Sequence, residues 1–265
     1  MLYSRIGALE YLRAENISVP HCFTTRLGGV SQGHLASMNI GIHRGDSEQN
    51  VLKNYQILGS AIGFDVENTV LTTQTHTDII RPVTAQDAGT GLLGEPFAPC
   101  DGLITNTPGL ALVVFTADCT PVLLWDTRTG AVGAVHAGWR GTAQDIVGKA
   151  VVSMGQHYGT KPQDIRAAIG PNIGQCCFQT HEDVPQALLE TYGDAIRQYI
   201  TAKDGKYYVN LKAVNAYALT RLGVQDIDIS THCTLCQPHR FWSARKHGNQ
   251  RGSQGAIIVC KEAWA

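Results

Sequence analysis

Two adjacent apolar segments, separated by one short turn, restrict the fold of this chain more than any other feature. "TADCTPVLLWD" spans residues 116–126 and "AVGAVHAGWRG" spans residues 131–141. Apolar runs of this length are typical of buried strands, and the intervening "DTRTG" is typical of a turn. We therefore expect an antiparallel hairpin. Cys119 and His136 should meet near its open end, because opposed residues of paired strands lie about 4.5–5.5 Å apart.

The rest of the chain alternates irregularly between helical and strand patterns. An apolar stripe with Asp46 or Ser47 as N-cap predicts a helix over residues 46–63, and "HCFTTRLGGVSQG" predicts a strand that runs into a Gly-Gly turn. Because no regular βαβ rhythm occurs, we expect an α+β fold in one domain spanning residues 1–265. Further helices are predicted near residues 142–158, 182–192 and 211–222, and strands near 68–73, 101–105, 111–116, 121–126, 131–136, 165–169, 226–230 and 255–260.

Charge and hydropathy exclude several classes of partner. The formal net charge is -1 and no basic block occurs, which argues against binding to nucleic acid polymers or anionic membranes. No apolar stretch approaches the roughly 18 residues of a membrane span, and the first residues lack the apolar core of a signal peptide. We expect a cytoplasmic protein, in which the eight cysteines serve metal binding, catalysis or burial rather than disulfides.

Three residues from separate segments form a candidate metal site. "QTHTD" offers His76, "TADC" offers Cys119 and "AVHAGWRG" offers His136. Two imidazoles and one thiolate suit zinc and leave a fourth position open, as in catalytic zinc sites. Copper binds such donors at least as strongly. From the residues alone, two core histidines and a buried thiol are the favoured interpretation.

A second group of cysteines is a candidate structural site. "THCTLCQPH" contains Cys233 and Cys236, which form half of a zinc ribbon, but no second C-x-x-C motif follows. Cys176 and Cys177 are adjacent in sequence, and adjacent cysteines seldom both bind one ion. We therefore predict no second structural metal here.

Arginines beside glycines are candidates for binding an anion. Arg140 lies in "AGWRGTA" where a strand turns into a helix, so its guanidinium and nearby amides could bind a phosphate. The alternative is an ion pair with a carboxylate. Arg26 in "TTRLGG" and Arg44 in "HRGD" are open to the same two interpretations.

Eight segments, in this order, resemble the laccase-domain family, whose members are called multicopper polyphenol oxidase, purine nucleoside phosphorylase or peptidoglycan editing factor. They are "FTTRLGGVS", "SMNIGIHRGD", "QTHTD", "CDGLITN", "TADCTPVLLWD", "AVHAGWRGTA", "IGPNIGQCCFQ" and "CTLCQPHRFWSARKHG". The resemblance implies a single-domain α/β/β/α layered sandwich with mixed sheets, similar to cytotoxic-necrotizing-factor-type hydrolases. It also implies that His76, Cys119 and His136 are the metal ligands and that zinc, or else copper, is the metal.

The function implied by the resemblance is zinc-dependent phosphorolysis of purine nucleosides (adenosine, inosine, guanosine and methylthioadenosine), together with adenosine deamination. Its partners would be a nucleoside and phosphate. His76, Cys119, His136 and Arg140 are the expected catalytic residues. The expected substrate-binding residues are Arg26, Arg44 and Asn39.

Two other functions stay open at this point. In the first, Cys119 is the nucleophile and His136 the base of an amide hydrolase that edits peptidoglycan precursors. In the second, the protein is a copper-dependent polyphenol oxidase. The sequence departs from the family pattern at Asn172, Gln175 and Asn210 and in "SARKHGNQRGS", all outside the three metal ligands, so we expect these changes to affect substrate preference.

Overall fold

The computed structural model describes residues 1–261, which form fifteen strands, six α-helices and short 3-10 turns. No helix within that range is both long and apolar enough to cross a lipid bilayer. Numbered along the chain, the strands are β1 (Leu2–Ile6), β2 (Leu9–Arg13), β3 (His21–Thr24), β4 (Thr69–Leu71), β5 (Ile80–Pro82), β6 (Gly102–Thr105), β7 (Ala111–Thr116), β8 (Thr120–Asp126), β9 (Val132–Ala137), β10 (Ile165–Ile169), β11 (Gln179–Thr180), β12 (Ile200–Lys203), β13 (Lys206–Val209), β14 (Asp226–Ile229) and β15 (Gln254–Val259). The helices are α1 (Glu48–Ile62), α2 (Trp139–Ala143), α3 (Ile146–Tyr158), α4 (Asp183–Tyr192), α5 (Leu211–Thr220) and α6 (Ala244–His247).

Two six-stranded mixed sheets hold most of these strands. The first has the order β1-β2-β3-β15-β7-β4 and the second the order β14-β10-β8-β9-β6-β5, while β11, β13 and β12 form a small third sheet. Strands β8 and β9 pair antiparallel with Pro121 opposite His136, so the predicted hairpin is confirmed. Parallel pairs occur between β4 and β7, β5 and β6, and β10 and β14.

The apolar residues form layers that follow the alternation of side chains along the strands. In β7, Leu112 packs between the two sheets, whereas Val113 faces α1 on the outside of the first sheet. In β8, Leu123 packs between the sheets and Val122 faces the layer that contains α3, α4 and α5. The order of layers is therefore helix, sheet, sheet, helix, which confirms the predicted α+β class and α/β/β/α arrangement.

The elements that carry strong periodicity lie close to their predicted positions. Helix α1 begins after Ser47, whose hydroxyl accepts a hydrogen bond from the Asn50 N–H as an N-cap. The predicted helix over residues 142–158 is wrong in detail, because Asp145 has a φ of 58° and separates α2 from α3. Several short, largely exposed strands, such as β1 and β12, have no apolar alternation and were not predicted.

Candidate metal centre

The three predicted ligands meet where the chain crosses between the two large sheets. His76 lies in the crossing from β4 to β5, Cys119 in the crossing from β7 to β8, and His136 in β9. One donor atom of each residue lies within 4.8 Å of the other two, and His76 Nε2 is 3.9 Å from Cys119 Sγ. The imidazole centroids are 5.1 Å apart with the rings tilted by 76°. The donors converge on one point, as metal ligands do.

Asp101 fixes the positions of both histidines, although sequence analysis did not select it. Its carboxylate accepts hydrogen bonds from the N–H groups of Thr75, His76 and Thr77. It also lies 2.7 Å from His136 Nδ1. Because a carboxylate only accepts, Nδ1 carries a proton, which leaves Nε2 as the ring atom that a metal would bind. The available signal was an acidic residue at the start of the buried strand β6, within "CDGLITN".

Cys119, His136 and Asp101 shift one another's pKa values; burial opposes the charged form of His136, but the charge of Cys119 and the hydrogen bond to Asp101 outweigh it and raise its pKa to about 9. Burial raises the pKa of a thiol, but the charge of His136 and hydrogen bonds from both imidazoles outweigh it and lower the pKa of Cys119 to about 6. Burial also opposes the charged form of Asp101, yet hydrogen bonds from His136 and Thr77 lower its pKa to about 2. Since metals bind thiolates, Cys119 is in the reactive form near neutral pH.

The backbone around Cys119 is held in an unusual conformation. Asp118 has a backbone φ of 89°, which residues other than glycine rarely adopt. Its carboxylate accepts hydrogen bonds from Ser243 Oγ at 3.0 Å, Arg245 N at 2.7 Å and Thr234 Oγ1. These contacts from the C-terminal third of the chain offset the strain and fix the direction of the Cys119 side chain.

The centre opens into a cavity of about 570 Å³, a size that suits a small organic ligand. Leu71 and Phe115 contribute apolar walls. Thr116 also lines the cavity, and its Oγ1 is buried without a hydrogen-bond partner within residues 1–261. Arg44 and Arg251 also line the cavity. Burial lowers the pKa of Arg251, and the nearby charge of Arg44 lowers it further.

Comparison with known proteins assigns the family. The family described as "Multi-copper polyphenol oxidoreductase laccase" matches residues 20–261. The chain belongs to this family. The resemblance to the laccase-domain family in the sequence is thus confirmed.

Relatives within the laccase-domain family cover almost the whole chain. The purine nucleoside phosphorylase of Deinococcus radiodurans is 35% identical over 250 residues, which covers 94% of this chain and 92% of that protein. Purine nucleoside phosphorylase YlmD of Geobacillus stearothermophilus is 36% identical over 248 residues, covering 91% and 90%. The crystal structure of YlmD from the same organism superposes with a TM-score of 0.91 at 33% identity, covering 98% of this chain and 99% of that one.

Of the arginines predicted as anion ligands in this laccase-domain chain, only Arg44 lies on the cavity. Arg140 is exposed and its guanidinium stacks on Trp139 at 4.3 Å from the ring centroid, so the structure does not bring it to the metal centre. Arg26 stacks on Trp242 and donates to the carbonyl oxygens of Ala36 and Pro238. Both cations are occupied by local contacts, whereas Arg251, which lies in "SARKHGNQRGS" and was not selected as an anion ligand, lines the cavity.

The other predicted substrate residue of the laccase-domain chain, Asn39, is fully buried and supports the cavity wall. Its side chain accepts hydrogen bonds from the N–H groups of Gly41 and Ser253 and donates to Asp46. Gly41 and Ser253 line the cavity, but Asn39 does not. We therefore correct its role from substrate contact to positioning.

Three of the four departures from the family pattern make structural contacts away from the cavity. Asn172 donates to Thr120 Oγ1 at 2.7 Å, and the Asn210 side chain caps α5 by accepting from Ala213 N. Gln175 donates to Thr201 Oγ1 at 3.1 Å. None of these three residues lines the cavity, whereas the fourth departure, "SARKHGNQRGS", supplies Ala244, Arg251 and Ser253 to its lining. An effect on substrate preference therefore stays a prediction for that segment alone.

Proposed function

We propose that this protein is a zinc-dependent purine nucleoside phosphorylase that also deaminates adenosine. The main support is that His76, Cys119 and His136 lie together at a cavity that Arg44 and Arg251 also line. The names of the relatives from Deinococcus radiodurans and Geobacillus stearothermophilus support the same activity.

The donor set fits zinc. Two imidazole nitrogens and one thiolate are ordinary zinc ligands, and three protein ligands leave one position for water or substrate. Asp101 supplies the carboxylate partner that metal-bound imidazoles usually have. When bound, zinc would supply a Lewis acid at the mouth of the cavity.

The residues of the chain account for binding of both substrates. Arg44 and Arg251 present two like charges that a phosphate dianion would neutralise, and the negative charges of Asp118 and Cys119 offset only Arg251. Leu71 and Phe115 offer apolar surface to a purine ring. In phosphorolysis a phosphate oxygen bonds to the anomeric carbon while the glycosidic C–N bond breaks. The purine leaves with the electron pair and then takes a proton.

Deamination uses the same cavity without phosphate. Water adds to the purine carbon that bears the amine, and ammonia leaves. Because this reaction has no attacking dianion, it does not require the arginine pair. The two activities should therefore respond differently to changes at Arg44 and Arg251.

A cysteine hydrolase is the second candidate function, and the contact between His136 and Asp101 favours it. Cys119, His136 and Asp101 form a nucleophile, base and orienting acid in the order of a catalytic triad. A cell-wall amide would then be the substrate. His76 has no role in such a triad, and its position beside Cys119 favours the metal site.

A copper oxidase is less consistent with the ligands. Reduction of dioxygen to water takes four electrons, which polyphenol oxidases of the multicopper type collect on several coppers. Within residues 1–261, His76, Cys119 and His136 form the one cluster that contains histidine.

Product identification tests the proposal. The protein, with its metal content measured, is incubated with adenosine in the presence and absence of phosphate, and the products are separated by chromatography. We expect adenine and ribose 1-phosphate only with phosphate, and inosine in both reactions. If none of these products forms, and the protein cleaves amide substrates even after chelation, the result would support the cysteine hydrolase instead.

A further inference from the structure

Four cysteines lie together at the edge of the second sheet, outside the cavity. Cys176 and Cys177 follow β10, and Cys233 and Cys236 follow β14. These two strands are parallel neighbours, so the loops after them leave the sheet at the same edge. The structure therefore brings a second pair of cysteines to "CTLC", although no second C-x-x-C motif occurs in the sequence.

The sulfur positions match a mononuclear site. All four Sγ atoms lie within 4.8 Å of one another, and Cys236 Sγ is 3.6 Å from Cys176 Sγ and 3.4 Å from Cys177 Sγ. A tetrahedral zinc with Zn–S bonds of about 2.3 Å places its sulfurs about 3.8 Å apart. Both of these separations are slightly shorter than that value, and the other pairs of sulfurs lie within 4.8 Å. An iron–sulfur cluster, which has several metal atoms between the thiolates, requires wider spacing.

The backbone around the sulfurs is arranged as it is around thiolate ligands. The N–H groups of Gly174 and Cys236 donate to Cys233 Sγ, the first at 3.2 Å. A Cβ atom on Gly174 would lie 3.2 Å from Cys176 Sγ and 3.5 Å from Cys233 Sγ, so the absence of a side chain lets the two loops close on one another.

A buried cation provides an independent indication. Lys212 is 7% exposed, and its ammonium group donates to the carbonyl oxygens of Ser230 and His232 at 2.7 Å each. No carboxylate in the described range pairs with it, although burial of an unpaired charge is costly. Cys233 and Cys176 are near enough to act on it electrostatically. Four thiolates around a divalent ion carry a net charge of about −2, of which the Lys212 ammonium would offset one unit.

We propose that Cys176, Cys177, Cys233 and Cys236 bind one structural zinc ion in an all-sulfur site. Soft thiolates select zinc over harder ions, and a closed set of four leaves no position for substrate. The ion would join the loop after β10 to the loop after β14. Both loops contact Asp118: Ile173 N donates to its carbonyl oxygen and Thr234 Oγ1 to its carboxylate. The site would thus stabilise the backbone that presents Cys119.

Metal analysis of a variant that lacks the first centre is the direct test. Cys119→Ala should retain one zinc per chain, and its zinc X-ray absorption should show four sulfur neighbours. This result does not depend on the proposed enzyme activity, because the experiment measures zinc content and zinc ligands rather than turnover. Absence of zinc, or a shell of mainly nitrogen and oxygen, would overturn the proposal.

Thiol labelling of the wild-type protein tests the same site without any risk of misfolding. The four thiols should react slowly with iodoacetamide until a strong chelator is added, and mass spectrometry should then find all four alkylated. Rapid labelling of the exposed Cys176 and Cys236 before chelation would contradict the proposal. Paired substitution Cys233→Ala/Cys236→Ala should remove one zinc equivalent, whereas the buried Cys260→Ala should remove none.

Discussion

Oδ1 of Asp101 lies 2.7 Å from Nδ1 of His136, and both side chains are buried. The same carboxylate accepts the backbone N–H of His76, so one residue orients two of the three candidate ligands. The imidazole of His136 is thereby held in one tautomer, and the loop that carries His76 is held against β6. This arrangement makes Asp101 the residue on which the geometry of the centre most depends.

Asp101→Asn should weaken metal binding about 10–100-fold, because an amide cannot accept hydrogen bonds at both of its positions from the groups that Asp101 serves. Competition with a chromogenic chelator measures the change. Asp126→Asn is the matched control: it alters a buried carboxylate at the opposite end of β8, where Asp126 accepts from Arg128 N and Thr129 N. The control should lose stability and keep its metal affinity. Equal metal affinity in both variants would show that Asp101 does not orient the metal ligands.

Gly138→Ala should displace the ligands without straining the backbone, since Gly138 has a φ of -67°. Its added Cβ would lie 3.0 Å from His76 Cδ2 and 3.3 Å from Cys119 Sγ. We expect lower zinc affinity and a loss of activity of up to about 100-fold. Gly133→Ala is the control within β9, where the nearest atom to the new Cβ is 3.4 Å away and belongs to Ile104. The idea fails if the two variants bind zinc equally well.

Replacement of the cavity arginines should separate the two proposed activities. A charge-assisted contact contributes roughly 1.5–3 kcal/mol, so Arg44→Ala or Arg251→Ala should lower phosphorolysis about ten- to a hundredfold and spare deamination. Steady-state kinetics with varied phosphate would show the loss. Arg140→Ala, which alters an exposed cation on Trp139, should change neither rate. A specific loss of phosphorolysis in Arg140→Ala alone would place the anion site elsewhere.

Stability should fall below neutral pH partly because of His21, which is 3% exposed in β3. Burial lowers the pKa of His21, whose Nε2 accepts the Ala14 N–H while Nδ1 lies 2.8 Å from the carbonyl oxygen of Val19. The unfolded chain then binds a proton at higher pH than the folded one. The contribution is therefore complete above about pH 6.5 and is lost as pH falls through the folded-state pKa.

Urea unfolding of the wild type and His21→Gln, measured between pH 7.5 and pH 5, checks this expectation. The variant should be less stable throughout, and its free energy of unfolding should fall less steeply with decreasing pH. His34→Gln, a change at an exposed histidine, should keep the wild-type slope. Parallel slopes in all three proteins would contradict the assignment to His21.

The sequence was most informative where contacts are local. The hairpin of β8 and β9 follows from two apolar runs and one turn, so the approach of Cys119 to His136 could be predicted from residue spacing. The arrival of His76 depends on pairing between distant strands, which no local pattern specifies, and it was predicted only through family resemblance.

Long-range packing also explains what was missed. Arg251 reaches the cavity because Asn39 holds the neighbouring Ser253 against Gly41, a contact between opposite ends of the chain. The meeting of Cys176 with Cys236 follows from the parallel pairing of β10 and β14, which are separated by α4 and α5 in sequence. In both cases the residue types could be recognised in the sequence, but their positions beside one another in the fold could not be predicted.

The central claim is that the centre formed by His76, Cys119 and His136 carries phosphorolysis. The most direct measurement is ribose 1-phosphate formation from inosine and phosphate, made on wild type, His76→Ala and Cys119→Ser with metal content determined on the same samples. We predict product from the wild type only, and a loss of one zinc equivalent in each variant. Phosphate-dependent product from Cys119→Ser at the wild-type rate would contradict the account.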